Sequence, residues 1–200
     1  MNFIRILLIA STLALAGCAS TPMKEAATQT IQTVRADESQ VVFMRSSFLG
    51  AAISASLYDV SKGAPEFIGI VDNGTKIAYT TQPGKRVFMV VSEAADFMEA
   101  ELLPGKTYYS LVTPRMGMWK ARFSLWPIRT DGTSEYNTAS ESFNGWLTGT
   151  KLVENSPETL AWNTENLDSV KSKYAEYWAV WKDKSAEDLA ARTLKPTDGK

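Results

Sequence analysis

Few side chains in this 200-residue chain are equipped for chemistry. It holds no histidine and a single cysteine, Cys18. Ser-His-Asp and Cys-His nucleophile systems, histidine-ligated metals, CxxC redox pairs and intramolecular disulfides are therefore excluded. Acid–base work would fall to carboxylates. Glu99 and Glu101 stand two residues apart, which places both on one face of a strand. A glycosidase needs two carboxyl groups about 5–10 Å apart across a cleft; this spacing fits, but solvated strand faces carry many such pairs. Arg45, just before Ser46-Ser47-Phe48-Leu49-Gly50, could hold a carboxylate or phosphate with both arms of its guanidinium, or pair with an acid inside the fold. No phosphate loop, dinucleotide fingerprint, calcium loop or zinc spacing occurs. No catalytic residue, metal ligand or cofactor is assigned on these grounds.

Cys18 has a more specific setting. Met1 to Arg5 is a short, weakly basic start, and Ile6 to Ala16 is an apolar run of eleven residues. Crossing hydrocarbon takes roughly 20 apolar residues, so the run fits a signal-peptide core rather than a membrane helix. Leu15-Ala16-Gly17-Cys18 closely resembles the bacterial lipobox. The resemblance implies a lipidated, palmitate-bearing cysteine, with diacylglyceryl on the Cys18 sulfur, cleavage between Gly17 and Cys18, and acylation of the new amino terminus. Two or three chains hold a protein firmly at a bilayer, where one chain holds it marginally. By analogy with lipoprotein sorting, Ala19 and Ser20, with no Asp, point to the outer membrane facing the periplasm. A secretory signal with a chance cysteine at its cleavage site is the alternative.

Composition narrows the partners. Removing residues 1–17 takes the basic residues from 21 to 20 by loss of Arg5 and leaves 22 acidic ones. A balance of −2 and no run of five like charges argue against nucleic acid or an anionic lipid surface as an electrostatic partner. With 44% hydrophobic residues the mature length suffices for one domain with a real core.

Four regions follow: a signal peptide over 1–17, a lipidated flexible tether over 18–39, a β-rich domain over 40–130, and a loop with a helical extension over 131–200. The tether is rich in Thr, Ala and Gln. From Gln40 to Ile128 short apolar runs recur about every ten residues, separated by turn residues. Val41–Met44 and Val87–Val91 are apolar on both faces, as in central strands. Ile53–Tyr58, Met98–Leu102 and Trp119–Leu125 alternate, and Thr107–Val112 completes the set. Asp72-Asn73-Gly74-Thr75 between Phe67–Val71 and Lys76–Thr80 predicts a tight hairpin with positive φ at both central residues. Pro83-Gly84 and Pro104-Gly105 fit type II turns. Eight such strands predict a mainly β fold, an antiparallel two-layer β-sandwich of immunoglobulin or transthyretin type, with C-terminal α-helices packed on it.

Phe43-Met44-Arg45, Gly50, Gly69, Asn73-Gly74, Pro83-Gly84-Lys85 and Pro104-Gly105-Lys106-Thr107-Tyr108-Tyr109, taken in order, resemble the lipoprotein domain-of-unknown-function family 2846 over about residues 38–130. That family has no established activity, so the resemblance implies a fold and an envelope setting, not a reaction.

Residues 129–150 read as loops or an edge hairpin. Ser156-Pro157 opens a helix, and Asn163 or Thr164 could cap a longer one running to about Lys184. Along it Leu167, Val170, Tyr174, Trp178 and Trp181 form an apolar-aromatic stripe. Ser185-Ala186-Glu187-Asp188 opens a last helix that Pro196 stops, and Thr197–Lys200 should fray. The stripe could be a sugar-stacking or partner-binding surface, but its periodicity favours packing on the sandwich. The candidate partner surface comprises Arg45, Phe48, Arg115, Trp126, Trp178 and Trp181. The function expected is that of a membrane-anchored, non-catalytic binding or adaptor module, held by acylated Cys18 and engaging an envelope protein or peptidoglycan. The alternatives are a carbohydrate-binding module using exposed aromatics and a carboxylate-dependent hydrolase.

Overall fold

The computed structural model describes residues 23–47, 49–115 and 122–200; Gly17, Cys18, Phe48 and residues 116–121 lie outside it. Among the described residues, eleven strands build two facing sheets. Strands β1 (Lys24–Glu25), β2 (Ser39–Arg45), β5 (Thr75–Thr81), β8 (Lys106–Arg115), β9 (Arg122–Pro127) and β10 (Lys151–Glu154) form the first, in the order β1-β10-β5-β2-β8-β9. Strands β3 (Ala55–Asp59), β4 (Glu66–Val71), β6 (Gly84–Val91), β7 (Ala95–Leu102) and β11 (Thr193–Leu194) form the second, in the order β11-β7-β6-β3-β4. Val41, Phe43, Leu57, Phe88, Val90, Met98, Tyr108, Val112 and Leu125 fill the space between the sheets.

The two-sided apolar strands are explained by what lies outside each sheet. Val42, Met44 and Leu111 point away from the central core and pack with Phe143 of helix α1 (Glu141–Thr148). Met89, Val91 and Phe97 point out of the second sheet and pack under helix α2 (Pro157–Lys182). Period-2 alternation thus serves two cores at once, and the molecule is four layers deep: helix, sheet, sheet, helix.

The sandwich is mostly antiparallel, but β2–β8, β5–β10 and β7–β11 pair in parallel. The turn signals do different work from that expected. Asn73-Gly74 joins β4 of one sheet to β5 of the other, so it is a corner and not a hairpin. Only Gly74 has positive φ, +78°; its N–H donates to Arg45 O at 2.8 Å, and its carbonyl accepts from Lys151 N at 2.9 Å. Pro83-Gly84 and Pro104-Gly105 likewise carry the chain from one sheet to the other. A Gly-containing tight turn fixes the chain reversal but not which sheet receives the next strand, and that choice follows from which faces must be buried.

The coil expected up to residue 39 is corrected from Met23 onward. β1 pairs with β10, Met23 packs on the central core, and the Gln29 side chain bonds Leu152 on both sides, Nε2 donating to its carbonyl and Oε1 accepting from its N–H at 2.7 Å. Helix α1 occupies a stretch read as loop: Ser140 caps it, and Phe143 meets Tyr109 edge-on at 5.1 Å. Its C-terminal end is held by the buried Lys76, whose ammonium donates to the carbonyls of Leu147, at 3.0 Å, and Thr150. Helix α2 is a single 26-residue helix capped reciprocally by Ser156 and Thr159. Asn163 lies inside it and accepts from the Tyr58 hydroxyl at 3.2 Å.

Past α3 (Ala186–Ala191) and β11, the chain closes on itself instead of fraying. Asp198 is buried and pairs with buried Arg129 at 2.7 Å, while Lys200 and Thr107 exchange both backbone hydrogen bonds, at 2.9 and 3.0 Å. A guanidinium taken out of water needs a counter-charge, and the tail supplies it.

Removing that counter-charge should be severe. Asp198→Ala is expected to destabilise the fold by about 3–5 kcal/mol in urea titration, because Arg129 is left buried and unpaired; a change under about 1 kcal/mol would show the tail to be unimportant. Alkaline titration gives a second check. Tyr58 and Tyr79 are pushed up to about 12, chiefly by burial and, for Tyr79, also by Asp59. Between about pH 10 and that value the native state keeps protons that the unfolded chain releases. The stability from these groups is complete below about pH 10 and should drain away as pH rises towards 12. Tyrosinate absorbance that is complete by pH 11 without unfolding would contradict this.

Candidate functional site

Two hollows flank one buried arginine. Arg192 follows α3, with its Nε donating to Leu125 O at 2.6 Å and its Nη2 to Phe97 O at 3.1 Å and to the Asp96 carboxylate. Its guanidinium lies 4.5 Å from the Trp126 ring centre and 5.6 Å from that of Trp181. Both indole faces favour a cation, so the arginine locks the outer end of β9 to the end of α2.

On one side of it is the larger hollow, about 400 Å³, between the end of β9, the loop 130–139 and α3. Trp126 and Tyr136 give it aromatic walls, their rings 5.7 Å apart and inclined by 41°. Tyr136 is supported from behind by Trp146 at 5.9 Å. The loop that presents Tyr136 is tightly tied. Arg129 N donates to Tyr136 O, Thr138 N returns to Arg129 O, and Asp131 accepts from both the N–H and the hydroxyl of Thr133. These Thr133 bonds hold the Asp131 carboxyl below its ordinary value. Tyr136 is pushed up to about 12, first by burial and then by its bond to Glu135 and that residue's charge, so it is a protonated donor at neutral pH. Glu135, Glu187 and Lys195 complete the rim.

The smaller hollow, about 160 Å³, is lined by Arg115, Arg122, Lys184, Phe97, Tyr177 and Trp181 around the buried Asp96. Arg115 lies 3.8 Å from the Asp96 carboxylate that Arg192 also holds.

The residues singled out from the sequence divide accordingly. Cys18, Gly17 and Phe48 lie outside the described residues. Arg45 is 0% exposed and is no part of a surface. Its guanidinium donates to the carbonyls of Gly50, Ile53 and Val71 at 2.6–3.0 Å and lies 4.2 Å from the Phe123 ring centre. It ties the 46–54 loop to the sandwich end without an acid at hydrogen-bond distance. Burial lowers its pKa to about 10 against the opposing pull of Asp72, which leaves it charged at neutral pH. Trp181 is 2% exposed, with its indole N–H donating to Glu99 at 3.2 Å. Trp178 packs on Phe97 at 5.1 Å and stacks with Tyr174 at 5.9 Å. The α2 stripe is therefore packing, not an open platform. Arg115 and Trp126 reach the hollows, one in each.

The proposed carboxylate pair is likewise split. Glu99 is committed to Trp181, while Glu101 is exposed on the strand. Among the described residues, Glu135 and Glu187 line the larger hollow and Asp96 the smaller, and no spacing or motif connects Glu135 with Glu187 in sequence. Among the described residues no group of three or more acidic side chains is placed to hold a metal ion.

Arg192→Leu should unfold the protein more easily by about 3–5 kcal/mol, since Asp96 would stay buried without its partner. Arg192→Lys should recover only part, because one ammonium cannot reach Leu125, Phe97 and Asp96 together. Tryptophan emission should shift in both variants as Trp126 and Trp181 lose the guanidinium. Unchanged urea midpoints would overturn the role given to Arg192. In comparison with known proteins, no family model matches this chain, and no curated protein does.

Proposed function

We propose that this chain is a lipid-anchored protein of the bacterial envelope, working as a non-catalytic binding module whose site is the hollow beside Trp126. One observation carries the reading. The strand nearest to Cys18 in sequence, β1, and the strand that bears Trp126, β9, form opposite edges of one six-stranded sheet. Five strand spacings separate them, about 24 Å of sheet. From Cys18 to Met23 the chain can span at most about 18 Å. An acylated Cys18 would draw the β1 edge towards the bilayer and leave the Trp126 hollow open on the far side.

Other features support the same reading. Among the described residues no helix is long and apolar enough to cross a membrane, so a membrane setting would depend on the lipobox-like segment. Lys24 and Lys151 beside that edge are paired with Glu154 and Glu25, so the edge has little charge for anionic headgroups and attachment would fall to acyl chains. The chain lacks histidine, and Glu99 is bonded to the Trp181 indole, so the Glu99–Glu101 pair is not free to act together, which favours binding over hydrolysis. Placement in the outer membrane rests on Ala19 and Ser20, and likeness to the family 2846 rests on motif order alone.

Cys18→Ser tests the anchor. The variant is expected to lose palmitate labelling and to persist either uncleaved, with residues 1–17, or as a soluble form. Retention of lipid on the variant would exclude Cys18 as the attachment point.

A further inference from the structure

We infer that the hollow beside Trp126 takes a neutral saccharide, a proposal that rests on reading that hollow as the binding site. Its volume, about 400 Å³, lies within the range of roughly 300–1,000 Å³ usual for small-ligand sites.

The walls favour a flat face of C–H groups. Trp126 and Tyr136 offer two inclined rings, and one face of Trp126 already carries the Arg192 guanidinium at 4.5 Å. A cationic ligand on the same indole would bring a second positive charge close to that arginine, through a ring whose attraction for cations is already engaged. Sugar C–H groups carry no such penalty and gain from burial against an aromatic surface.

The rim carries two carboxylates, Glu135 and Glu187, against one ammonium, Lys195, so it disfavours an anion, while the penalty on a cation comes from Arg192 behind Trp126. Arg129 adds little, because Asp198 neutralises it at 2.7 Å and its other hydrogens are given to the carbonyls of Thr193 and Ala190. Carboxylates accept from hydroxyls, the Lys195 ammonium donates to them, and the Tyr136 oxygen, its own proton bonded to Glu135, can accept. A polyol is the ligand class that satisfies both kinds of group at once. Ala190 and Ala191 keep the α3 wall low, leaving room for a ring beside the aromatics.

The test uses the purified full-length mature chain, titrated with N-acetylchitotriose, cellotriose and maltotriose as neutral probes and tetramethylammonium as a cationic one. Tryptophan emission and calorimetry report binding. Saturable binding of at least one trisaccharide is expected, with a dissociation constant of about 1 mM or tighter. It should weaken at least tenfold in Trp126→Ala and in Glu187→Ala. The second variant changes an exposed side chain, so it keeps the test decisive if loss of Trp126 disturbs folding. No saturable binding of any trisaccharide, binding unchanged in Glu187→Ala, or tighter binding of tetramethylammonium would each overturn the proposal. A photo-crosslinker at position 187 separates the two readings. Capture of one dominant envelope protein in cells, without saccharide binding, would leave the binding module standing and remove its sugar specificity; capture of nothing together with no saccharide binding would remove both.

Discussion

Burial of two arginines governs everything outside the sandwich. Arg129 and Arg192 sit where water is excluded, and each meets its carboxylate far away in the chain, Asp198 for one and Asp96 for the other. An isolated guanidinium in such surroundings would be untenable, so the residues that neutralise and bond it must be brought in. Residues 192–198 are thereby drawn along β7 and across the end of β9, β11 adds to the second sheet in parallel with β7, and α3 is placed beside Trp126. Arg45 solves the same problem differently, with three backbone carbonyls and the face of Phe123. In all three cases the arginine donates to backbone carbonyls of segments far from it in the sheet order or the chain, among them Val71, Leu125 and Thr193, and so ties those segments together.

The strands were legible in the sequence because burial leaves a period-2 record, and doubly buried strands leave a continuous one. Val41–Met44 and Val87–Val91 could be placed at sheet centres from that record alone. The route between strands left no such trace. Asn73-Gly74 reports a tight reversal, but the next strand's position depends on long-range burial: Ile77 must face the central core, which puts β5 beside β2 rather than beside β4. Helix α1 escaped because only Phe143 is fully buried on it, among polar residues that read as loop. The tail escaped for the opposite reason: Asp198 belongs to a short polar end, and nothing local announces that its partner is Arg129.

The candidate site was legible only in part. Trp126 and Arg115 were in the candidate partner surface drawn from the sequence, and both reach a hollow. Glu135 and Tyr136 lie in a stretch read as loop, and Glu187 was read as the acidic first turn of a cap. Each has an ordinary local explanation, and their meeting depends on the Arg192 and Arg129 pairs that close α3 over β9. The α2 aromatics were legible as a stripe, and their spacing matched packing: Tyr174, Trp178 and Trp181 converge on Phe97.

That convergence bears on why a hollow exists where it does. α2 covers the second sheet over β6 and β7, and α1 covers the first over β2 and β8. Neither reaches the outer end of β9, which is the free edge of its sheet. An edge with an outward tryptophan is a liability for aggregation, and it must be covered by something other than a strand. Here the cover is a six-residue helix and a loop tied by its own side chains, elements too short to fill the space between them. Trp181 and Trp126 share one arginine, yet the 26-residue helix that carries Trp181 closes over it, while Trp126 retains a wall of open space. The difference between an enclosed tryptophan and one that walls the larger hollow thus lies in the length of the element that covers each, and not in the residue or its immediate cation.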